Sequence, residues 1–359
     1  MKTKSILLAV IVSVLIISYN ACKKDDSATN ATTNYLDLPA VPYHYDMGIS
    51  TDEIITLGRV LFYDKHLSVN NSISCGSCHK QAAAFSDISA SSTGFESRIT
   101  SRNTPPIQNL GFGAFSMPPS LFWDGREKFL LNMVLKPILN HVEMGMNDME
   151  AIVTRVKALP YYKDLFVSAF GSDEVTINKI ANALSSFTGS ISSVNTKFDM
   201  SRFGQTTLNG LEAYGKSLFF SKYDCSSCHQ EEFTNPYQVG GGFVNIGLDV
   251  NYKDNGVGAL TGNPADNGKF KIPDLRNVAL TAPYMHDGRF ATLDQVLEHY
   301  SHGIADHPNL DQRLRAASGS PKRMNITAEE KTALIAFLNT LTDFRSVTDV
   351  RFSDPFRIK

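Results

Sequence analysis

The chain has 359 residues, 42% of them hydrophobic and 19% charged, with a formal net charge of −2. That length suggests about two domains. The near-neutral balance gives no reason to expect nucleic-acid binding, which asks for a strongly basic face.

The first element does not belong to the fold. Lys2 and Lys4 precede an apolar run from Ile6 to Ile17 that only Ser13 interrupts. A run of about a dozen residues is too short to span a bilayer and has the form of a signal-peptide core. Residues 1–21 are therefore expected to be a signal peptide. Ala21-Cys22 has the form of a lipoprotein cleavage site, with Cys22 as the lipidated N-terminus; an ordinary cleaved signal with a spare cysteine is the alternative. Either way the mature chain leaves the cytoplasm. Lipidation makes it a periplasmic or cell-surface lipoprotein that meets the membrane only through this anchor. Residues 22–46 open with Lys23-Lys-Asp-Asp26, similar to a surface-export tag, and continue rich in Ser, Thr, Asn and Ala. They read as a flexible tether.

From Ile54 the apolar residues fall at helical spacing, through Leu57-Gly58-Arg-Val-Leu61-Phe62. Cys75-Gly-Ser-Cys78-His79 follows, and Ile177, Ile180, Ala181, Leu184 and Phe187 later share one face of an amphipathic helix. The plan then repeats. Leu211-Glu-Ala-Tyr214-Gly215-Lys-Ser-Leu218-Phe219 has Gly and Leu-Phe at the same offsets, and Cys225-Ser-Ser-Cys228-His229 comes next. Each Gly permits close approach of another backbone or of a bound planar group. From Gly240-Gly-Gly242 to Gly268 the chain is rich in Gly and Asn, and is expected to form a long loop rather than a sheet. Thr327-Ala-Glu-Glu330 is a capping box before a closing helix with Leu334, Phe337, Leu338 and Leu341 on one face. No stretch alternates like a strand.

Of the five cysteines, one stands at the signal boundary and four form the two Cys-x-x-Cys pairs, which leaves none for a structural disulfide. The pairs by themselves are compatible with disulfides, redox dithiols or zinc ligands. The histidine directly after each argues for covalent c-type haem instead, and no third cysteine or His-x-x-x-His stands near for zinc. The expected fold is all-α, with two cytochrome c-like domains at 47–200 and 201–345, each carrying one covalently bound c-type haem. The tail, 346–359, is expected to pack back on the first domain through Phe352 and Phe356.

Further motifs lie between these elements: Arg102-Asn103-Thr104-Pro105, Phe122-Trp123-Asp124-Gly125-Arg126, Pro137 to Glu143-Met144-Gly145, Pro273-Asp-Leu-Arg276-Asn277, and Ala282-Pro283-Tyr284-Met285-His286-Asp287-Gly288. With Leu61-Phe62 and the two cysteine motifs, they make the chain from about Leu57 to Leu341 resemble the bacterial di-haem cytochrome c peroxidases, the superfamily that includes MauG. The resemblance implies that the N-terminal haem is the peroxidatic one, with His79 as proximal ligand. Some members close the opposite face with a histidine on the following loop. Here none occurs between His79 and Arg102, so that face is expected to be open, with His66 only a weaker candidate ligand.

The resemblance further implies that Glu143 is the distal carboxylate that relays a proton during O–O cleavage. The glutamine that the family often has ten residues after its tryptophan is Met133 here, and His141 is a candidate replacement. Trp123, the only tryptophan, matches the family residue between the two haems, as electron relay, as interface aromatic, or as both. His229 is the proximal ligand of the second haem. Its sixth ligand is expected to be Tyr300, where typical peroxidases have Met and MauG has Tyr; Met285 is the alternative, with His299 and His302 behind. A calcium ion between the domains would take the Asn103 side chain and the Thr281 and Pro283 carbonyls, oxygen ligands suited to a hard cation.

Three functions follow as expectations. The first is a cytochrome c peroxidase that reduces hydrogen peroxide to water. Its electrons come from a small c-type cytochrome or similar donor protein, enter at the C-terminal haem and pass Trp123. The second is a MauG-like oxidase that uses high-valent iron to oxidise a partner protein or small molecule. The third is a non-catalytic electron-transfer cytochrome. Family members often dimerise, so a homodimer is an open expectation.

Overall fold

The computed structural model describes residues 35–38, 43, 50–110, 120–229 and 242–356. The signal segment, Cys22, the Lys23–Asp26 run, most of the tether, and Gly240 and Gly241 lie outside the described residues. Among those described, no helix is long and apolar enough to cross a membrane.

The structure is mostly helical. In chain order its longer helices are α1 (Asp52–Tyr63), α2 (Met149–Ala158), α3 (Tyr162–Phe170), α4 (Ile177–Ser190), α5 (Lys197–Arg202), α6 (Gly210–Ser217), α7 (Leu293–Glu298) and α8 (Ala328–Asn339). Their starts follow the chemistry of the first turn. Thr51 accepts the Ile54 N–H ahead of α1. Thr327 and Glu330 form the reciprocal capping box of α8, which satisfies two backbone donors that a helix start leaves orphaned.

The sequence repeat is a structural repeat. α1 crosses α4 so closely that a Cβ on Gly58 would stand 1.9 Å from the Ala183 carbonyl oxygen and 2.8 Å from the Phe187 Cβ. α6 crosses α8 in the same way: a Cβ on Gly215 would stand 1.9 Å from the Ala333 carbonyl oxygen and 2.9 Å from the Phe337 Cβ. Each glycine therefore admits a helix backbone. Leu61 and Phe62 in one copy, and Leu218 and Phe219 in the other, are buried beside these crossings.

Two hydrophobic cores result. The first gathers Leu57, Leu61, Phe62, Tyr162, Leu184 and Phe187, and the second Leu218, Phe219, Leu334, Phe337 and Leu341. Side chains of this size each contribute roughly 1.5–3 kcal/mol on full burial. Phe352, from the end of the chain, belongs to the first core. There Tyr63 Oη donates to the Phe352 carbonyl at 2.6 Å, and Arg59 Nε to the Ser353 carbonyl at 2.7 Å.

Side-chain bonds tie the two halves. Arg102 grips Asp254 through Nε and Nη2 at 2.6 and 2.9 Å, and Asp124 through Nη1 at 2.5 Å. Asn277 Nδ2 donates to Gln108 Oε1 at 2.6 Å, and Arg276 holds Asp199 with two bonds of 2.6 and 2.7 Å in a buried pair.

One expectation needs correction. The Gly- and Asn-rich stretch is not wholly a loop. Phe243–Val244 (β1) pairs antiparallel with Phe270–Lys271 (β2), in the register Phe243 with Lys271 and Val244 with Phe270. Strands of two residues are too short to show the alternation by which a strand is read.

Candidate active site

Cys75–Cys78 forms a single helical turn whose cysteines are not joined in a disulfide, and Cys225 and Cys228 are likewise free thiols. After the first pair, Ala84 and Phe85 both adopt the left-handed backbone conformation, at φ 51° and 58°. L-residues pay for that conformation. It folds the chain back so that the Phe85 carbonyl meets His79 Nδ1 at 2.7 Å. A carbonyl only accepts, so the proton sits on Nδ1 and the lone pair on Nε2, the arrangement of an imidazole that ligates iron. Burial lowers the His79 pKa, which keeps the ring neutral. The second site repeats the device, with His229 Nδ1 against the Pro273 carbonyl at 3.2 Å and burial pulling the imidazole down to about 4. Paired thiols beside a neutral, oriented imidazole make a donor set that fits c-type haem at both places.

Glu143 stands at the first site. Burial raises both the Cys75 and the Cys78 thiol, and the nearby Glu143 charge adds to the effect on each. Burial also raises the Glu143 carboxyl above the ordinary glutamate value, with the Arg126 charge as a partial counterweight. Asn140 Nδ2 donates to Glu143 Oε1 at 2.9 Å, and the Glu143 carbonyl accepts the Phe95 N–H at 3.0 Å. Asn140 thus holds the carboxyl, and Phe95 holds the Glu143 backbone. His141 is exposed and engages Arg98 only through its carbonyl, at 2.7 Å. His66 turns to Asp64, with Nδ1 2.7 Å from Oδ1 and its side chain 46% exposed.

A mostly apolar cavity marks the second site, lined by Cys225, Cys228, His229, Met285, Tyr300 and Trp123. Tyr300 lies on the wider turn His299–Gly303 that continues α7. Burial raises its phenol above the ordinary tyrosine value, and the Cys228 and Cys225 charges add to this, so the phenol stands close to the thiols. Met285 reaches the same cavity from a left-handed backbone position at φ 76°. His299 Nε2 bonds the Ile246 carbonyl at 3.0 Å, and His302 pairs with Glu298 at 2.9 Å with its side chain 53% exposed. Tyr300 and Met285 are brought to this wall; His299 and His302 are engaged elsewhere.

Trp123 lines the second cavity, while its neighbour Phe122 packs on the first core. Its Nε1 donates to the Asn103 carbonyl at 2.8 Å, and its own carbonyl accepts the Lys271 N–H at 2.7 Å. Asn103, Thr281 and Pro283 line the same cavity. Asn103 Nδ2 donates to the Ser89 carbonyl at 3.2 Å, which directs Oδ1 the other way.

Sequence reasoning did not single out Asn140, Arg126 or Lys271. Arg126 stood inside a recognised motif, but its place over the Phe122 ring, at 3.8 Å, depends on the turn made by Phe122 to Gly125. Lys271 carried no signal beyond being the lone charge in Phe270-Lys271-Ile272-Pro273.

Residues 52–207 match the di-haem cytochrome c peroxidase family. The methylamine utilization protein MauG of Methylorubrum extorquens is 35% identical over 295 residues, 81% of this chain and 78% of that protein. The cytochrome c551 peroxidase of Nitrosomonas europaea is 33% identical, over 81% of this chain and 80% of its own length. The crystal structure of a MauG-like protein associated with microbial copper homeostasis matches with a TM-score of 0.74 at 36% identity, covering 89% of this chain and 97% of that one. The diheme peroxidase BthA from Burkholderia thailandensis shares the fold, with a TM-score of 0.66 at 20% identity over 85% of this chain and 90% of its own.

Proposed function

The chain belongs to the di-haem cytochrome c peroxidase family, which implies two haems, and on that premise we propose that it reduces hydrogen peroxide to water. One c-type haem is bound through Cys75, Cys78 and His79, and the other through Cys225, Cys228 and His229, in N-terminal and C-terminal domains at about 47–200 and 201–345. A haem held by Cys75, Cys78 and His79 would supply the iron chemistry for cleavage of the peroxide O–O bond. The observation that carries the proposal is the half-buried Glu143 carboxyl, whose charge bears on both thiols of the Cys75–Cys78 pair.

Glu143 would take a proton from one peroxide oxygen and return it to the other, which would leave as water. Asn140 holds Oε1 in place for that transfer. Two electrons and two protons per peroxide yield two waters. The electrons come from a small cytochrome c or similar donor protein, enter at the second haem, and pass Trp123. Asn103, Thr281 and Pro283 bind calcium between the sites. Cys22 carries a lipid anchor on the exported chain, and homodimerisation belongs to the same proposal.

The test is peroxide-dependent oxidation of a reduced c-type cytochrome by the holoprotein. Glu143→Gln should lower kcat/KM for peroxide by about 10²–10⁴-fold, the range of a lost general acid–base, with both haems still attached. Turnover equal to wild type in that variant removes Glu143 from the mechanism.

Tyr300 in the wall of the second cavity supports a second reading, a MauG-like oxidase that uses peroxide to oxidise a partner protein or small molecule. A phenolate ligand lowers the potential of the second haem, whereas Met/His ligation raises it, and so disfavours uptake of electrons from a high-potential donor. Fast turnover with reduced cytochrome c favours the peroxidase; two haems of low potential with slow turnover favour the oxidase.

A further inference from the structure

The cavity beside Cys225 and Cys228 contains a charged side chain for which neither the fold nor the peroxidase reading has a use. Lys271 belongs to β2, and its half-buried side chain lines the cavity. Burial pulls its ammonium down to about 8, and Asp274 is the charge that opposes this. Yet Asp274 spends Oδ1 on the Arg276 N–H at 2.8 Å, and among the described residues no carboxylate lies within ion-pair distance of Lys271. A cation drawn partly out of water without a counter-charge is costly, because desolvation is not offset by pairing.

The chemistry of attachment says which counter-charge the cavity would receive. A c-type haem is tied to its two cysteines by the vinyl groups along one edge, and its two propionates project from another part of the rim. The charges that bear on the Cys228 thiol, after burial, are Arg313, Asp311 and Asp224. Lys271 is served by a different set of groups: its N–H bonds the Trp123 carbonyl, and Asp274 supplies the nearby charge. Neither thiol is among the charges that bear on the Lys271 ammonium.

We propose that Lys271 is the counter-charge for a propionate of the haem held by Cys225, Cys228 and His229, and that this pair sets the reduction potential of the haem beside Trp123. The proposal rests on the reading that a c-type haem fills this cavity. A positive charge near the iron favours the ferrous form, which carries one positive charge fewer than the ferric. Removing it lowers the potential. It also leaves the propionate without its partner, so the carboxylate becomes more basic and takes up a proton on reduction. The midpoint then becomes dependent on pH.

The experiment is a spectroelectrochemical titration of the full holoprotein across pH, with mass spectrometry to count attached haems. Lys271→Met should keep both haems. Its second haem should shift at least about tenfold toward the oxidised form, 59 mV for one electron, with a steeper pH dependence, while the first haem stays put. Lys271→Gln keeps a hydrogen-bond donor and removes only the charge, so it gives the same shift and serves where the methionine variant does not fold. Lys271→Arg should restore the wild-type midpoint. Unchanged midpoints and pH dependence in a neutral variant with both haems bound overturn the proposal. A wild-type chain with no haem at Cys225 and Cys228 overturns the underlying reading, and the proposal with it.

Discussion

At the scale of single residues, the two sites ask opposite things of their acidic groups. Glu143 must begin as a carboxylate if it is to take a proton, yet burial pushes its pKa above 4.5. Peroxide turnover should therefore fall as pH drops through that raised value, giving an acid limb in kcat/KM above 4.5 that disappears in Glu143→Gln. Asn140→Leu removes the bond that favours the charged form and should move the limb to higher pH. A limb that stays in place in Asn140→Leu contradicts the assignment. At the second site the phenol of Tyr300 is held neutral by burial, so only coordination to a metal cation would ionise it. Tyr300→Met should raise the potential of the second haem, and Met285→Leu should leave its spectrum unchanged. A spectral change in Met285→Leu alone transfers the ligand role to Met285.

Among the elements, the crossings of α1 with α4 and of α6 with α8 show how a spacing in the chain becomes a contact. Gly58→Ala and Gly215→Ala would each gain roughly 0.5–1 kcal/mol of helix propensity. Each would also force a methyl group to 1.9 Å from a carbonyl oxygen, and overpacking of this kind costs about 1–3 kcal/mol or more. Both variants should lose stability, seen as a lower urea midpoint at unchanged slope; a raised midpoint in either would mean that the helices separate freely. The repeat and the closing helices were legible because helical spacing and a capping box are local patterns. The contacts of Gly58 were not, since Ala183 lies far along the chain and either a helix or a planar group would satisfy a glycine. The β1–β2 pair and Lys271 were illegible for a related reason: two residues carry no period, and a lone lysine in an apolar run looks like an ordinary surface residue until the fold places it in the cavity wall. Thr281 and Pro283 could be proposed from the sequence only by resemblance, because backbone oxygens leave no residue-type signature.

Over the whole molecule, stability depends on bonds that join distant parts of the chain. The Arg276–Asp199 pair is buried on both sides, with side chains 2% and 8% exposed. Burial alone would raise Asp199, but the Arg276 bonds and charge outweigh it and the net pKa is lowered. The folded value lies below 3.8, so this stabilisation is present above that pH and is lost as pH falls through the folded value. Arg276→Met leaves a buried carboxylate unpaired, at a cost of about 3–5 kcal/mol, and should flatten the acid dependence of the unfolding midpoint. Phe352 makes the more distant link. It follows the whole second core in the chain yet is 6% exposed inside the first, against Phe187 and Phe85, where its carbonyl accepts from Tyr63. Truncating such a ring costs about 3–5 kcal/mol, so Phe352→Ala should lower the unfolding midpoint markedly. Phe344 is 67% exposed, and Phe344→Ala should leave the midpoint nearly unchanged. Equal effects from the two substitutions would mean that the end of the chain does not hold the first core together, and that its contacts with Arg59 and Tyr63 add nothing to stability.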